Sequence, residues 1–105
     1  MARVHGTSMV PTVGPGDLVL IRYGAAARPG DVVVVALPAD RAGRPRPAAV
    51  KRLVRYERGD RLWVESDNLD APGAIDSWTV GGLPATAVLA RVLVRLIPPG
   101  RVRRD

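Results

Sequence analysis

Every fifth residue of this chain is a glycine or a proline, 21 of 105. In a helix interior glycine costs about 1 kcal/mol and proline about 3 kcal/mol relative to alanine. Breakers at this density exclude long helices and favour short strands joined by tight turns. They also recur in a pattern. Gly14-Pro15-Gly16-Asp17 precedes the run Leu18-Val19-Leu20-Ile21. Further on, Pro29-Gly30-Asp31 precedes Val32-Val33-Val34-Val35. Pro followed by Gly suits the centre of a type II turn, where glycine takes the positive φ without steric cost. Each turn therefore launches an aliphatic run, and strands are expected at 17–23 and 31–37.

The same reading continues along the chain. Residues 38–47 are an exposed loop rich in Arg and Pro. Residues 48–56 and 61–65 read as strands around the turn Glu57-Arg58-Gly59-Asp60. Residues 66–77 form an irregular polar segment. The β-branched content of 87–96 favours strand over helix. Pro98-Pro99-Gly100 ends that strand, leaving a basic tail at 101–105. The expectation is one all-β domain over 1–105 with little or no helix.

Sixteen Val and fourteen Ala must fill the core, because aromatics are only 4% and Phe is absent. The chain has no Cys, which removes disulfides, thiol nucleophiles and thiolate metal sites. A single His, His5, argues against a His-based zinc site or a Ser-His-Asp triad. No metal or cofactor is expected. The longest strongly apolar run, 32–38, falls far short of the roughly 20 residues that span a bilayer. A cytoplasmic protein is expected, or one peripheral to the membrane, or the soluble part of an anchored one.

The net charge of +6 first suggests nucleic acid. Yet fifteen of the sixteen basic residues are Arg and are scattered along the chain. Tyr23, Tyr56, Trp63 and Trp78 form no paired stacking motif of the kind that RNA-binding sheets use. A basic nucleic-acid-binding β-barrel therefore stands as an alternative, and nucleic acid is not the expected partner. Lys51 is the only lysine in a chain whose other cations are arginine. Arginine cannot lose its proton in a protein, whereas lysine can.

One segment is suited to nucleophilic chemistry. Gly6-Thr7-Ser8-Met9-Val10-Pro11-Thr12 holds a serine on a loop, its hydroxyl outside any regular ladder. By itself this is an ordinary turn. Its companions follow in order: the Gly16-Asp17 and Gly30-Asp31 turns with their strands, then Val50-Lys51-Arg52-Leu53-Val54, Ser66-Asp67-Asn68 and Asp76-Ser77. These boxes resemble those of the signal peptidase I family of serine proteases, in the wider group that includes the self-cleaving LexA-type repressors. The resemblance runs from about residue 4 to residue 99. It implies an all-β fold of coiled antiparallel sheets and a serine endopeptidase. Ser8 is implied as nucleophile, Lys51 as general base, and the Ser8 backbone N–H, with the Gly6 region, as oxyanion donor. Met9 and Pro11 would border the substrate pocket, and Arg52, Asp67, Asn68, Asp76 and Ser77 would form the supporting scaffold.

The chain departs from the family pattern at several points. Trp78 stands where Arg is usual, and the segment between Asn68 and Asp76 is longer. Ala74 replaces a serine that often supports the lysine, and Gly6 offers no hydroxyl to the oxyanion hole. Short members without an anchor resemble the proteases that trim the leader of nickel-containing superoxide dismutase. The implied substrate is a precursor polypeptide bound as an extended strand. A fragment of a LexA-type autoprotease is the other reading.

The lysine assignment also has a physical basis. A serine hydroxyl needs a base to take its proton. At pH 7 the neutral form of an ordinary lysine lies roughly 4.6 kcal/mol uphill, and burial can remove most of that penalty. Strand alternation places Lys51 and Leu53 on one face and Val50, Arg52 and Val54 on the other. An inward-facing Lys51 would thus be desolvated by its own strand.

Overall fold

The computed structural model describes residues 1–24 and 26–104. They form one curled antiparallel sheet of eight strands, with about one turn of α-helix and one 3-10 turn. The strands are β1 (Ala2–Arg3), β2 (Leu18–Tyr23), β3 (Val32–Val35), β4 (Ala49–Glu57), β5 (Arg61–Glu65), β6 (Leu83–Pro84), β7 (Val88–Ile97) and β8 (Gly100–Arg101). Their order across the sheet is β1-β2-β7-β3-β4-β5-β6, with β8 also paired to β7. The five longer strands, β2 to β5 and β7, agree with the expected ones to within two residues at their ends, whereas the two-residue β1, β6 and β8 were not expected.

The two Gly-Asp boxes fold identically. Gly14 N–H donates to the Asp17 carboxylate and Arg28 N–H to the Asp31 carboxylate, both at 2.8 Å. In return Asp17 N–H reaches Gly14 C=O and Asp31 N–H reaches Arg28 C=O. Gly16 and Gly30 sit at φ +82° and +98°, the region the turn demands and side chains disfavour. The aspartate thus satisfies turn donors that would otherwise go unpaired.

β3 separates two cores. Val33 and Val35 pack with Leu53, Leu62, Val64 and Leu83 on one face. Val32 packs with Val4, Met9, Val13, Val19 and Val92 on the other. Burying each such aliphatic side chain contributes about 1.5–3 kcal/mol, so two modest clusters replace one aromatic centre. The alternation expected for β4 follows this division: Leu53 joins the first cluster and Val50 packs against the second.

Two features correct the sequence reading. The segment expected to be irregular to residue 77 ends in a short helix, α1 (Ser77–Val80), whose N-cap is Asp76. The segment expected as a basic tail is also anchored. Gly100 and Arg101 pair with β7, and Arg104 forms an ion pair with buried Asp31 at 2.6 Å. Asp105 lies outside the described residues. Among the described residues, no helix is long and apolar enough to cross a membrane.

Candidate active site

The loop between β1 and β2 is held from below by its apolar residues. Met9 and Val13 are each 1% exposed and lie in the second core. Val10 N–H reaches Thr7 C=O and Val13 N–H reaches Met9 C=O, coiling the loop tightly. Ser8 sits half-buried at its top, where it lines a cavity of about 340 Å³. Lys51 lines the same cavity.

Asn68 fixes the serine loop from above. Its backbone N–H donates to Ser8 C=O at 2.8 Å, and its Nδ2 donates to Thr7 C=O at 3.0 Å. Beside it, Asp67 ties three segments together. Both of its oxygens accept from Arg52, at 3.1 Å from Nε and 2.6 Å from Nη2. Thr12 Oγ1 donates to the same carboxylate, and Asp67 N–H reaches Met9 Sδ at 3.4 Å. Arg52 also donates to Gly30 C=O and Arg103 C=O. A bidentate guanidinium pair in a buried setting is directional, so this network sets the serine loop at a fixed place against β4.

Lys51 is 2% exposed, on β4 opposite Val33. Its Nζ is hydrogen-bonded to Ser66 Oγ at 2.9 Å. Burial pushes the lysine below its ordinary pKa by disfavouring the charged form, and the nearby Asp76 carboxylate opposes this only in part. Asp76 does its work chiefly as a brace. One oxygen accepts from Ser66 N–H at 3.0 Å and the other from Trp78 N–H at 3.0 Å, at the start of α1. Ser77 Oγ accepts from Val64 N–H at 2.9 Å. Together they fasten the end of β5, and with it the Ser66 hydroxyl.

The structure therefore brings Ser8, Lys51 and Gly6 to one cavity. Arg52, Asp67, Asn68, Asp76 and Ser77 lie behind it as braces. Ser8 and Lys51 are not hydrogen-bonded to each other; Lys51 Nζ is bonded to Ser66 Oγ. Met9 and Pro11 do not line the cavity: Met9 is committed to the core, and Pro11 is exposed elsewhere on the loop. Long apolar side chains next to a serine are drawn inward to anchor its loop, which sequence spacing alone does not reveal.

Ser66 was not among the residues expected in the site. It supplies the hydroxyl that Ala74, itself lining the cavity, lacks. Its signal in the sequence is that Val64 and Ser66 share a strand face, so a serine follows a core position inward. Arg3, His5 and Arg46 also line the cavity. Among the described residues, no three His, Cys, Asp or Glu side chains cluster as a metal site.

No curated protein and no solved structure matches this chain. Residues 1–75 match the family model described as Peptidase S24-like, a stretch that contains Ser8, Lys51, Ser66 and the Asp67–Arg52 brace. The likeness to the LexA and signal peptidase group drawn from the motifs holds at that level, and the chain belongs to the S24-like peptidases.

Proposed function

We propose that the protein is a serine endopeptidase in which Ser8 is the nucleophile and Lys51 the general base. The observation that carries this reading is a buried lysine, its pKa lowered by desolvation, lining one cavity with a loop serine. Neutral Lys51 Nζ takes the Ser8 proton as Oγ attacks the scissile carbonyl, and the resulting ammonium returns it to the leaving amine. Water then hydrolyses the acyl-enzyme by the same route. Among the described residues the Ser8 N–H donates to no other group, so it is free to meet the oxyanion. Gly6 adds no side-chain donor, which makes this a backbone oxyanion hole.

The substrate enters as an extended strand. Ala49–Lys51 pair with β3 on one side, while the pairing of β4 with β5 begins only at Arg52. The other edge of this stretch faces the cavity and offers a ladder to an added chain. Its walls of Ala48, Ala49, Ala71 and Ala74 fit small side chains beside the cleaved bond. We infer a precursor polypeptide that loses an N-terminal leader. A nickel superoxide dismutase precursor is the particular candidate, and it rests on the motif resemblance. Cleavage of the chain's own kind, as in LexA-type relatives, is separated from this by the dependence of rate on protein concentration.

The test is a peptide-cleavage assay on three proteins. Wild type should cleave, Ser8→Ala should not, and Lys51→Arg should lose nearly all turnover despite keeping its charge, because guanidinium accepts no proton. Near wild-type rates in Lys51→Arg would refute the dyad.

A further inference from the structure

Resting on the peptidase reading, we propose that the cleft selects substrates carrying an acidic side chain a few residues from the scissile bond, with Arg46 and Arg3 as the recognising groups. The cavity that holds Ser8 and Lys51 is lined also by Arg3, His5 and Arg46, and by no Asp or Glu. Backbone carbonyls orient both arginines, and the Asp40 carboxylate, which feels Arg46, lies outside the cavity and is ion-paired with Arg44. Arg46 Nη1 donates to Pro38 C=O at 2.9 Å and Ala39 C=O at 3.4 Å, while Arg3 Nη1 donates to Gly16 C=O at 2.9 Å. Backbone carbonyls orient a guanidinium but leave its positive charge intact, and its remaining N–H groups can pair with a carboxylate.

Their spacing indicates where the acid would fall. Arg46 lies five positions before Lys51 on the segment leading into β4, and Arg3 lies five positions before Ser8. Five extended residues reach at most about 17 Å. A peptide laid along the open edge of Ala49–Lys51 therefore passes Arg46 within about five residues of the reacting carbonyl. A cleft lined by one sign of charge concentrates the opposite sign. The alanine-rich walls beside Ser8 and Lys51 carry no carboxylate to compete for the two arginines.

The experiment uses fluorogenic peptides with alanine at the cleaved position. Glu, Gln or Lys is walked through six positions on either side. At one or more positions Glu should raise kcat/KM over Gln by about fivefold at low ionic strength, as for a partly exposed ion pair. Lys should lower it, and added salt should shrink the difference. Arg46→Glu or Arg3→Glu should invert the Glu-to-Lys ratio at the position each reads. Labelled versions of the same peptides, titrated by anisotropy against Ser8→Ala protein, should follow the same order in Kd. Equal kcat/KM and equal Kd for Glu and Gln peptides at every position would overturn the proposal. So would a preference for Glu that both charge reversals leave unchanged. If wild type cleaves none of the peptides, the peptidase reading fails, and the Kd values alone decide the charge preference.

Discussion

Lys51→Met should change how stability depends on pH, and the change has a definite sign. In the folded chain burial lowers the lysine pKa, with Asp76 opposing. In the unfolded chain the side chain titrates near 10.4. Between these two values the unfolded state holds a proton that the folded state has released. Stability therefore rises with pH across that window, by up to about 1.4 kcal/mol per pH unit. Below the folded pKa both states are protonated and the slope vanishes; above about pH 10.4 neither is. For a domain of this size, each kcal/mol moves Tm by roughly 4–8 °C. The lysine thus contributes a rise of roughly 6–11 °C per pH unit at its steepest. Methionine has similar length and no charge, so Lys51→Met should lack this contribution. It strands the Ser66 hydroxyl at a cost of about 1–3 kcal/mol, but that offset is the same at every pH. The assay is urea or thermal unfolding of both proteins from pH 7 to 10.5, read as the difference between the two curves. Parallel curves would refute the buried neutral lysine. A wild-type advantage that falls as pH rises would mean that attraction to Asp76 wins and Lys51 is held as an ammonium.

Three further outcomes follow from the same geometry. Ser66→Ala removes the hydrogen bond that holds Lys51 Nζ; kcat should fall about 10- to 100-fold with KM nearly constant, and the pH profile should shift, whereas a merely structural serine would leave the profile in place. Asp67→Leu breaks the bidentate ion pair of buried Arg52, so chemical denaturation should register a loss of about 3–5 kcal/mol. Asp76→Ala removes both the α1 cap and the partner of Ser66 N–H; it should cost about 1–3 kcal/mol in the same measurement and lower turnover through the displaced Ser66.

The turns and strands were legible because Pro-Gly-Asp is a local code. The aspartate bonds back to a donor three residues earlier, so nothing distant is needed to form it. Ser8 and Lys51 were legible as candidates because each is chemically scarce in its context. What could not be read locally was where long side chains go. Met9 lies beside the serine in sequence yet serves the core. Arg52 alternates with Lys51 as expected, but its several partners come from residues 12, 30, 67 and 103. The short helix after Asp76 carries no periodic signal, since four residues are too few to display one. It exists because Asp76 caps it and Gly81, at φ +81°, ends it.

The position of β7 has a consequence for the order in which the fold is assembled. The strand is made after β2 and β3, yet it lies between them and hydrogen-bonds to both. The serine loop belongs to the β1–β2 side and the lysine to the β3–β4 side. A nascent chain that has reached residue 87 already contains Ser8 and Lys51 but not the strand that joins their halves of the sheet. Pairings of such wide sequence separation make folding slow relative to helical domains of equal length. The cavity that Ser8 and Lys51 share is thereby completed only after β7 has been made and has joined the two halves.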